Sequence, residues 1–330
     1  MENSLPDKTI VDSKIKELRI PDVGKASIRE IVALVNQVEA VTGVKYIRME
    51  MGVPGLPPAQ VGVDAEIAAL KRGVAAIYPV IDGIQPLKEQ AALFVKKYMN
   101  VEVGEKGCIP TVGSMQGTFA AFMAAGFTDA KKDTALFIDP GFPVQKQQMM
   151  VLGLKYESFD VFNYRGEKLK EKLEAILSKG NINSIIYSNP NNPAWICFTD
   201  DELKIIGELA NKYDVIVMED LAYFGMDFRH NLSQPGVPPF QPSVANYTKN
   251  FVLFISSSKI FSYAGQRIGL MIIPEGLYNR EFPALQQRFG SATFGSTIVF
   301  KLLYSFSSGT SHSAQWGLTA MLEAANEGQY

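Results

Sequence analysis

The sequence predicts an α/β fold in which a mostly parallel sheet is flanked by helices. The chain has 330 residues, 47% of them hydrophobic, which is enough apolar material for a large core. From Cys108 onward, short apolar runs that are typical of buried strands are separated at several points by helical patterns. The runs lie at 108–112, 134–138, 184–188, 215–219, 251–256 and 269–273. Strands that alternate with helices form parallel sheets covered on both faces, and ligands bind outside the carboxyl ends of such strands.

The elements before this region are less regular. We expect the first ten residues to be loose. Ser27 and Glu30 then form a capping-box pattern that opens an amphipathic helix ending near residue 41. A strand-like run at 46–51 leads into a loop at 52–58, which Gly and Pro keep out of regular structure. Helical patterns follow at 62–74 and 84–99.

Three further helices are predicted between the strands. A second capping-box pattern, Thr199 with Glu202, marks the beginning of the last of them. They lie at 115–126, 166–178 and 200–212.

Composition excludes several classes of function. The net charge is -2 and no long basic run occurs, so neither nucleic acid nor an anionic membrane is an expected partner. No apolar run approaches the ~20 residues that cross a bilayer, and the amino terminus lacks an apolar signal core. Two cysteines in so long a chain indicate reduced thiols and a cytoplasmic protein. The two histidines have no metal-ligand spacing, so no metal site is predicted.

The most informative stretch is 255–269, where an apolar strand runs into three serines, then Lys259, and then Arg267 eight residues later. This stretch resembles the cofactor-lysine signature of class I/II aminotransferases, in the fold-type I family of pyridoxal-phosphate enzymes. The resemblance implies that Lys259 carries the cofactor as a Schiff base and that Arg267 and Ser256 bind its phosphate. These residue types suit the chemistry, because an imine needs a primary amine and a guanidinium fork fits a phosphate dianion.

Three segments upstream resemble the same family, each after a predicted strand. Residues Gly113, Ser114 and Met115 open a helix after the first strand and match the family's phosphate cup, in which backbone N–H groups bind the anion. Phe142 stands where the family places an aromatic ring that stacks on the pyridine. In the Asn-Pro run at 189–193, Asn192 matches the donor to the ring's phenolic oxygen.

The remaining matches concern the cofactor nitrogen, the dimer and the substrate. The family spacing makes Asp220 the partner of the pyridine nitrogen and Tyr223 a second donor to the phenolic oxygen. A carboxylate there keeps the ring protonated, which makes the ring an electron sink. Tyr78 resembles a tyrosine that reaches the phosphate of the neighbouring subunit, which implies a homodimer. Gly52 resembles a glycine over the substrate carboxylate.

The sequence also departs from the family. Ala194 and Trp195 stand where Thr-Gly is usual, and a bulky Trp195 at that turn is expected to reshape the substrate pocket. Gln266 replaces a tryptophan common before the phosphate arginine. The chain ends at Tyr330, whereas family members usually continue into a small domain that supplies the substrate-carboxylate arginine, so we assign no such arginine.

The predicted organisation follows from this resemblance. An amino-terminal arm with part of the small domain occupies 1–55, the large cofactor-binding domain occupies 56–305, and 306–330 begins a truncated carboxyl-terminal small domain. The predicted function is amino-group exchange between an amino acid and a 2-oxo acid by a ping-pong mechanism that depends on pyridoxal 5′-phosphate.

Three alternatives remain at this stage. A lyase of the same fold would use the same core motifs, because the pocket chooses which bond the cofactor breaks. An inactive, truncated binding domain is the second, and its form as a transcriptional regulator would need a DNA-binding segment that the first 45 residues do not provide. A nucleotide-binding domain is disfavoured, since no Gly-x-Gly-x-x-Gly follows a strand.

Overall fold

The computed structural model describes residues 6–52 and 55–329, and the chain divides after Gly55 into two compact units. In the first unit, two helices, α1 (Lys8–Glu17) and α2 (Ile28–Thr42), pack around a small apolar cluster that contains Leu34 and Val38. The predicted capping box at the beginning of α2 is confirmed: the Ser27 side chain accepts from the Glu30 N–H, and the Glu30 carboxylate accepts from the Ser27 N–H.

Two predictions for the first unit are wrong. Residues 8–10 are helical rather than loose, because the Asp7 carboxylate caps α1 by accepting from the Thr9 N–H at 2.7 Å. Residues 1–5, 53 and 54 lie outside the described part of the chain. The run at 46–51 is not a strand. The Tyr46 N–H donates to the Glu39 side chain at 3.0 Å instead of to a neighbouring strand.

The second unit is built on a seven-stranded sheet in the order β1-β7-β6-β5-β4-β2-β3. Neighbouring strands are parallel except at β7, which is antiparallel to both β1 and β6. The six predicted strands are all present. The strands are β1 (Cys108–Thr111), β2 (Thr134–Asp139), β3 (Lys155–Asp160), β4 (Ile182–Ser188), β5 (Ile216–Leu221), β6 (Phe251–Ser256) and β7 (Gly269–Ile272).

Helices cover both faces of this sheet. The predicted helices are confirmed to within a few residues at each end, as is the capping box of Thr199 and Glu202. A π-helical turn, Ile298–Leu303, joins α12 to α13. The helices are α3 (Gln60–Lys71), α4 (Gln85–Met99), α5 (Gly113–Ala125), α6 (Pro143–Leu152), α7 (Glu167–Leu177), α8 (Asp200–Tyr213), α9 (Ser257–Ile260), α10 (Glu275–Asn279), α11 (Pro283–Phe289), α12 (Phe294–Thr297), α13 (Tyr304–Ser307) and α14 (His312–Asn326).

Alternate residues of the central strands face two separate apolar cores. On β6, Leu253 and Ile255 join one core, whereas Val252 and Phe254 join the other. Because every residue of β4, β5 and β6 is buried, these strands read as continuous apolar runs, which is the pattern expected of a parallel sheet covered on both faces. Helix α14 packs against α3 and α4 and contributes Leu318 to the first core. The division into three domains stays a prediction.

The described residues contain neither a helix that could span a membrane nor a cluster of metal ligands. In 6–52 and 55–329, no helix combines the length and the apolar character needed to cross a membrane. The same residues contain no group of three or more His, Cys, Asp or Glu side chains placed to hold a metal ion.

Candidate active site

The carboxyl ends of the parallel strands bring together most of the residues singled out from the sequence. Asp220 of β5 pairs in register with Ser188 of β4 and with Phe254 of β6. On the other side of β6, Ser256 pairs with Gly269 of β7, and Gly269 pairs with Thr111 of β1. The loops and helices that follow β1, β4, β5 and β6 therefore meet at one edge of the sheet, as expected for a parallel α/β sheet.

An anion-binding arrangement lies at the β1 and β7 end of this edge. Gly113 begins α5 with φ 66°, and a Cβ built on it would lie 2.5 Å from Nη2 of Arg267, so the guanidinium lies directly against the helix start. Arg267 is exposed, and its Nη1 donates to the Ala264 carbonyl oxygen at 2.9 Å. A Cβ on Gly269 would lie 3.0 Å from the Ser114 nitrogen, which shows how closely β7 approaches the same turn. Helix-start N–H groups next to a guanidinium favour a bound phosphate.

Ser256 lies next to this arrangement at the end of β6. Its buried hydroxyl accepts from the Ser258 N–H at 3.2 Å and caps α9. Met115, the third residue of the predicted phosphate cup, has its side chain 40% exposed, while its carbonyl oxygen accepts from the Gln148 side chain at 2.8 Å. The predicted phosphate residues are therefore neighbours in the fold, and their roles stay predictions.

Lys259 is the third residue of the four-residue helix α9 and is half-buried at the same edge. Its Nζ is 5.9 Å from the centroid of the Tyr223 ring. Burial lowers the pKa of the Lys259 amine, and the positive charge of Arg267 lowers this pKa further. An amine with a lowered pKa is neutral in a larger fraction of molecules near neutral pH, which suits a nucleophile and a general base.

Asp220 is a buried carboxylate near the end of β5, with 5% of its surface exposed. It accepts from Nε2 of Gln145 at 2.8 Å and from the Ala222 N–H at 3.1 Å. Burial raises the pKa of Asp220 to about 6, and these two hydrogen bonds oppose the rise only in part. Burial also raises the pKa of the Tyr223 hydroxyl, with a smaller contribution from the Asp220 charge. A cationic ligand beside Asp220 would stabilise its ionised form.

Gln145 connects Asp220 to the segment that carries Phe142. Phe142 is half-buried at the N-cap of α6, and its carbonyl oxygen accepts from the Gln145 N–H at 3.1 Å. Gln145 was not predicted as a site residue, because residues 143–152 lack a clear helical pattern in the sequence. The signal left unused was Pro143, which is favoured in the first turn of a helix.

The turn that contains Asn192 is held by two asparagines that the sequence reasoning did not single out. Asn191 donates from Nδ2 to the Pro140 carbonyl oxygen at 2.6 Å, and its Oδ1 accepts from the Ala194 N–H at 3.0 Å. Asn189 accepts from the Phe198 N–H at 3.1 Å. Asn192 itself is half-buried within this turn. The turn is therefore fixed both internally and to the loop before Phe142.

The Glu219 side chain forms hydrogen bonds to the same turn and to the segment at 243–244. It is fully buried, and it accepts from the Ser243 hydroxyl at 2.5 Å, from the Val244 N–H at 3.1 Å and from Nδ2 of Asn189 at 3.3 Å. Burial raises the pKa of Glu219 to about 7. Because Glu219 precedes Asp220 on β5, it ties the asparagine turn to the strand that presents the buried acid.

The contacts described above for this edge of the sheet do not include two of the predicted residues, Tyr78 and Gly52. Tyr78 follows a short 3₁₀ turn, Val74–Ala76, and its side chain is 89% exposed. Gly52 belongs to the first unit. Their proposed roles toward a neighbouring subunit and a substrate carboxylate stay predictions.

Three arginines near or after the site are occupied elsewhere. Arg280 makes two bonds of 2.6 Å to Asp214, at the opposite end of β5. The Arg288 guanidinium lies 3.7 Å from the centroid of the Phe127 ring. Arg229 makes bonds of 2.8 and 2.7 Å to the Asp227 carboxylate. These contacts give no reason to assign any of the three arginines as the ligand of a substrate carboxylate.

The sequence as a whole matches the model of a known enzyme family. The family model for aminotransferase class I and II matches residues 44–329. The chain therefore belongs to the class I and II aminotransferase family.

Curated relatives and solved structures agree with this membership. The chain is 23% identical over 259 residues to an aspartate aminotransferase of Sulfolobus acidocaldarius, covering 75% of this chain and 60% of the relative. It is 25% identical to an LL-diaminopimelate aminotransferase of Natranaerobius thermophilus, covering 72% and 59%. An aspartate aminotransferase structure from Thermotoga maritima shares the fold with a TM-score of 0.73 and 19% identity, over 95% of this chain and 75% of that one. The matches thus span about three fifths of these two curated relatives.

Proposed function

We propose that this chain carries the cofactor-binding and catalytic core of a pyridoxal-phosphate-dependent aminotransferase that exchanges an amino group between an amino acid and a 2-oxo acid. The observation that carries the proposal is the position of Lys259, whose amine, with its lowered pKa, lies 5.9 Å from the Tyr223 ring. The buried Asp220 lies near the end of the neighbouring strand β5 at the same edge. Amine, phenol and carboxylate are the groups that this chemistry needs.

The residues at the edge of the sheet fit pyridoxal phosphate. Arg267, the start of α5 and Ser256 would hold the phosphate dianion. Asp220 would hold the pyridine nitrogen, because a buried carboxylate with a raised pKa is stabilised by a cation beside it. The Ser188 hydroxyl, next to Asp220 in register, is buried without a hydrogen-bond partner among the residues that the structure describes, which leaves polar capacity available to a ligand. Phe142 would stack on the ring, and Asn192 and Tyr223 would donate to its phenolic oxygen.

The chemistry follows from these positions. When bound, the cofactor acts as an electron sink for the charge that develops at the substrate α-carbon. The Lys259 amine would take the substrate α-proton and hold it for the later proton transfer, a role that its lowered pKa assists. Asp220 would keep the ring nitrogen protonated by holding a negative charge beside it. A second oxo acid reverses the sequence, which gives ping-pong kinetics.

The remaining parts of the proposal concern partners and location. We propose a homodimer in which the exposed Tyr78 reaches the neighbouring phosphate, and a role for Gly52 over the substrate carboxylate. Free thiols at Cys108 and Cys197 support a cytoplasmic location. An inactive binding domain would retain the phosphate residues, but it would have no need for the amine, acid and phenol together.

Amino-group exchange is the direct test of this function. The purified chain is incubated with pyridoxal phosphate and then with a panel of amino acids, and the visible absorbance of the bound cofactor is followed. We expect some donors to bleach this absorbance and a 2-oxo acid to restore it. Release of pyruvate with ammonia in place of restoration would instead establish the lyase alternative, which the aminotransferase names of the matched relatives do not favour.

Arg267→Ala should weaken binding of pyridoxal phosphate by about tenfold to a hundredfold, because a charge-assisted bond to a buried or partly buried phosphate contributes about 1.5–3 kcal/mol. Binding of pyridoxal, which lacks the phosphate, should be unchanged. Fluorescence titration with both compounds measures the two affinities. Arg280→Ala is the matched control, since Arg280 pairs with Asp214 at the opposite end of β5. An equal loss for both compounds would contradict a phosphate role.

A further inference from the structure

Trp195 occupies an unusual backbone position at the edge of the site. Its φ is 56°, in the left-handed region that a bulky side chain rarely adopts, and Gly is the residue that adopts it without strain. Two backbone hydrogen bonds hold the turn around it. The Trp195 N–H donates to the Asn191 carbonyl oxygen at 3.1 Å, and the Asn191 N–H donates to the Ile196 carbonyl oxygen at 2.8 Å. Backbone strain of this kind persists only where the surrounding structure maintains it, and it is concentrated at functional sites. The strained φ of Trp195 therefore indicates a function for its side chain.

The Trp195 ring is part of an open aromatic surface, formed by Trp195, Tyr223 and Phe228. Trp195 lies 5.7 Å from the Tyr223 ring in a T-shaped contact and 6.2 Å from the Phe228 ring in a stacked contact with an interplanar angle of 16°. Tyr223 is therefore shared between this surface and the Lys259 amine. Trp195 is 43% exposed and Phe228 is 82% exposed, so a large part of each side chain is open to a ligand.

The charges next to this surface do not suit an acidic substrate side chain. Arg229, which follows Phe228, makes a two-point bond to Asp227. That ion pair lowers the pKa of Asp227 to about 2, so the carboxylate stays ionised and keeps the guanidinium occupied. A substrate carboxylate would have to displace Asp227, whereas an apolar ring would need only to cover the exposed faces of Trp195 and Phe228.

We propose that Trp195 and Phe228 determine donor specificity by binding the side chain of an aromatic amino acid. This inference rests on the proposed function, since it assigns the substrate class of the same site. Aromatic pairs add about 0.5–1.5 kcal/mol beyond the area that they bury, so contact with both rings corresponds to a preference on the order of tenfold over a small aliphatic side chain.

Ligand binding to the protein without cofactor tests the surface by itself. Trp195 and Trp316 are the two tryptophans of the chain, so a Trp316→Phe background isolates the fluorescence of Trp195. Titration with 3-phenylpropionate, butyrate and glutarate should show quenching by 3-phenylpropionate at a concentration about tenfold below that of the other two. Equal quenching by all three, or none, would overturn the proposal.

Donor preference in the cofactor-loaded protein provides the second arm. In the otherwise unchanged chain, Trp195→Gly and Phe228→Ala should each reduce the ratio of kcat/KM for phenylalanine to that for alanine by about threefold to tenfold. Because glycine adopts a positive φ without strain, Trp195→Gly is expected to fold. Phe162→Ala is the matched control, because Phe162 is also a highly exposed phenylalanine, at 78%, and lies on the 3₁₀ turn after the edge strand β3.

The two proposals fail in different ways. If no visible absorbance forms with pyridoxal phosphate, the proposed function fails, while quenching of Trp195 still reports on the surface. If absorbance and exchange are present but Trp195→Gly leaves the phenylalanine-to-alanine ratio unchanged, the specificity inference is wrong and the function stands.

Discussion

Lys259→Ala should reduce amino-group exchange by at least ~10⁴-fold, because the substitution removes both the amine that bonds to the cofactor and the base that moves the α-proton. The half-buried position of Lys259 beside Tyr223 leads us to expect little change in folding. Steady-state exchange rates and the visible spectrum with pyridoxal phosphate measure the effect. The phosphate residues are untouched, so the variant should still bind the cofactor.

A surface lysine supplies the control for this variant. Lys204 lies on α8 with 58% of its side chain exposed, and Lys204→Ala should leave both rate and spectrum unchanged. Retained exchange in Lys259→Ala, together with an unaltered spectrum, would show that another group forms the bond to the cofactor.

Asp220→Ala should slow removal of the substrate α-proton by about 10²–10³-fold, the usual effect of deleting one preorganised electrostatic partner of a developing charge. Loss of the carboxylate would let the bound ring nitrogen lose its proton, which weakens the electron sink. Affinity for the cofactor phosphate should change much less, since Arg267 and the start of α5 lie at the β1–β7 side of the edge. Rates with α-deuterated and ordinary donors separate proton removal from binding.

Asp214 is the matched control for this carboxylate. It lies two residues before β5 begins, at the end of the strand opposite to Asp220, and it pairs with Arg280. Asp214→Ala should leave proton removal unchanged, although loss of its ion pair can cost up to about 1 kcal/mol of stability. Equal losses of rate and cofactor affinity in Asp220→Ala would indicate that Asp220 only supports the fold.

The parts of the fold that could be predicted from sequence are those with strong apolar patterns. Strands β4, β5 and β6 are buried along their whole length, so each is visible as an apolar run. Strand β3 was missed because it lies at the edge of the sheet, where Lys155–Asp160 is largely polar and mostly exposed. Helix α6 was missed because its central residues are mainly glutamine and lysine, with little apolar periodicity.

The sequence predicts some residues of the candidate site but not those that hold them in place. Lys259, Asp220 and Arg267 follow recognisable strand ends, and the register of the sheet brings their segments together. The residues that hold this arrangement in place, Gln145 and Glu219, act through contacts over 75 and 30 residues of sequence separation. Such pairs have no local signal, because only the strand order and the loop paths determine which polar side chains meet.

Chemical trapping of the cofactor identifies the amine to which it is bonded. The chain is incubated with pyridoxal phosphate, reduced with borohydride to make the bond to the amine permanent, digested, and examined by peptide mass spectrometry. We expect a single phosphopyridoxyl group on the peptide that contains Lys259, and none after Lys259→Ala. A group spread over several surface lysines, with Lys259 unmodified, would contradict the role proposed for Lys259.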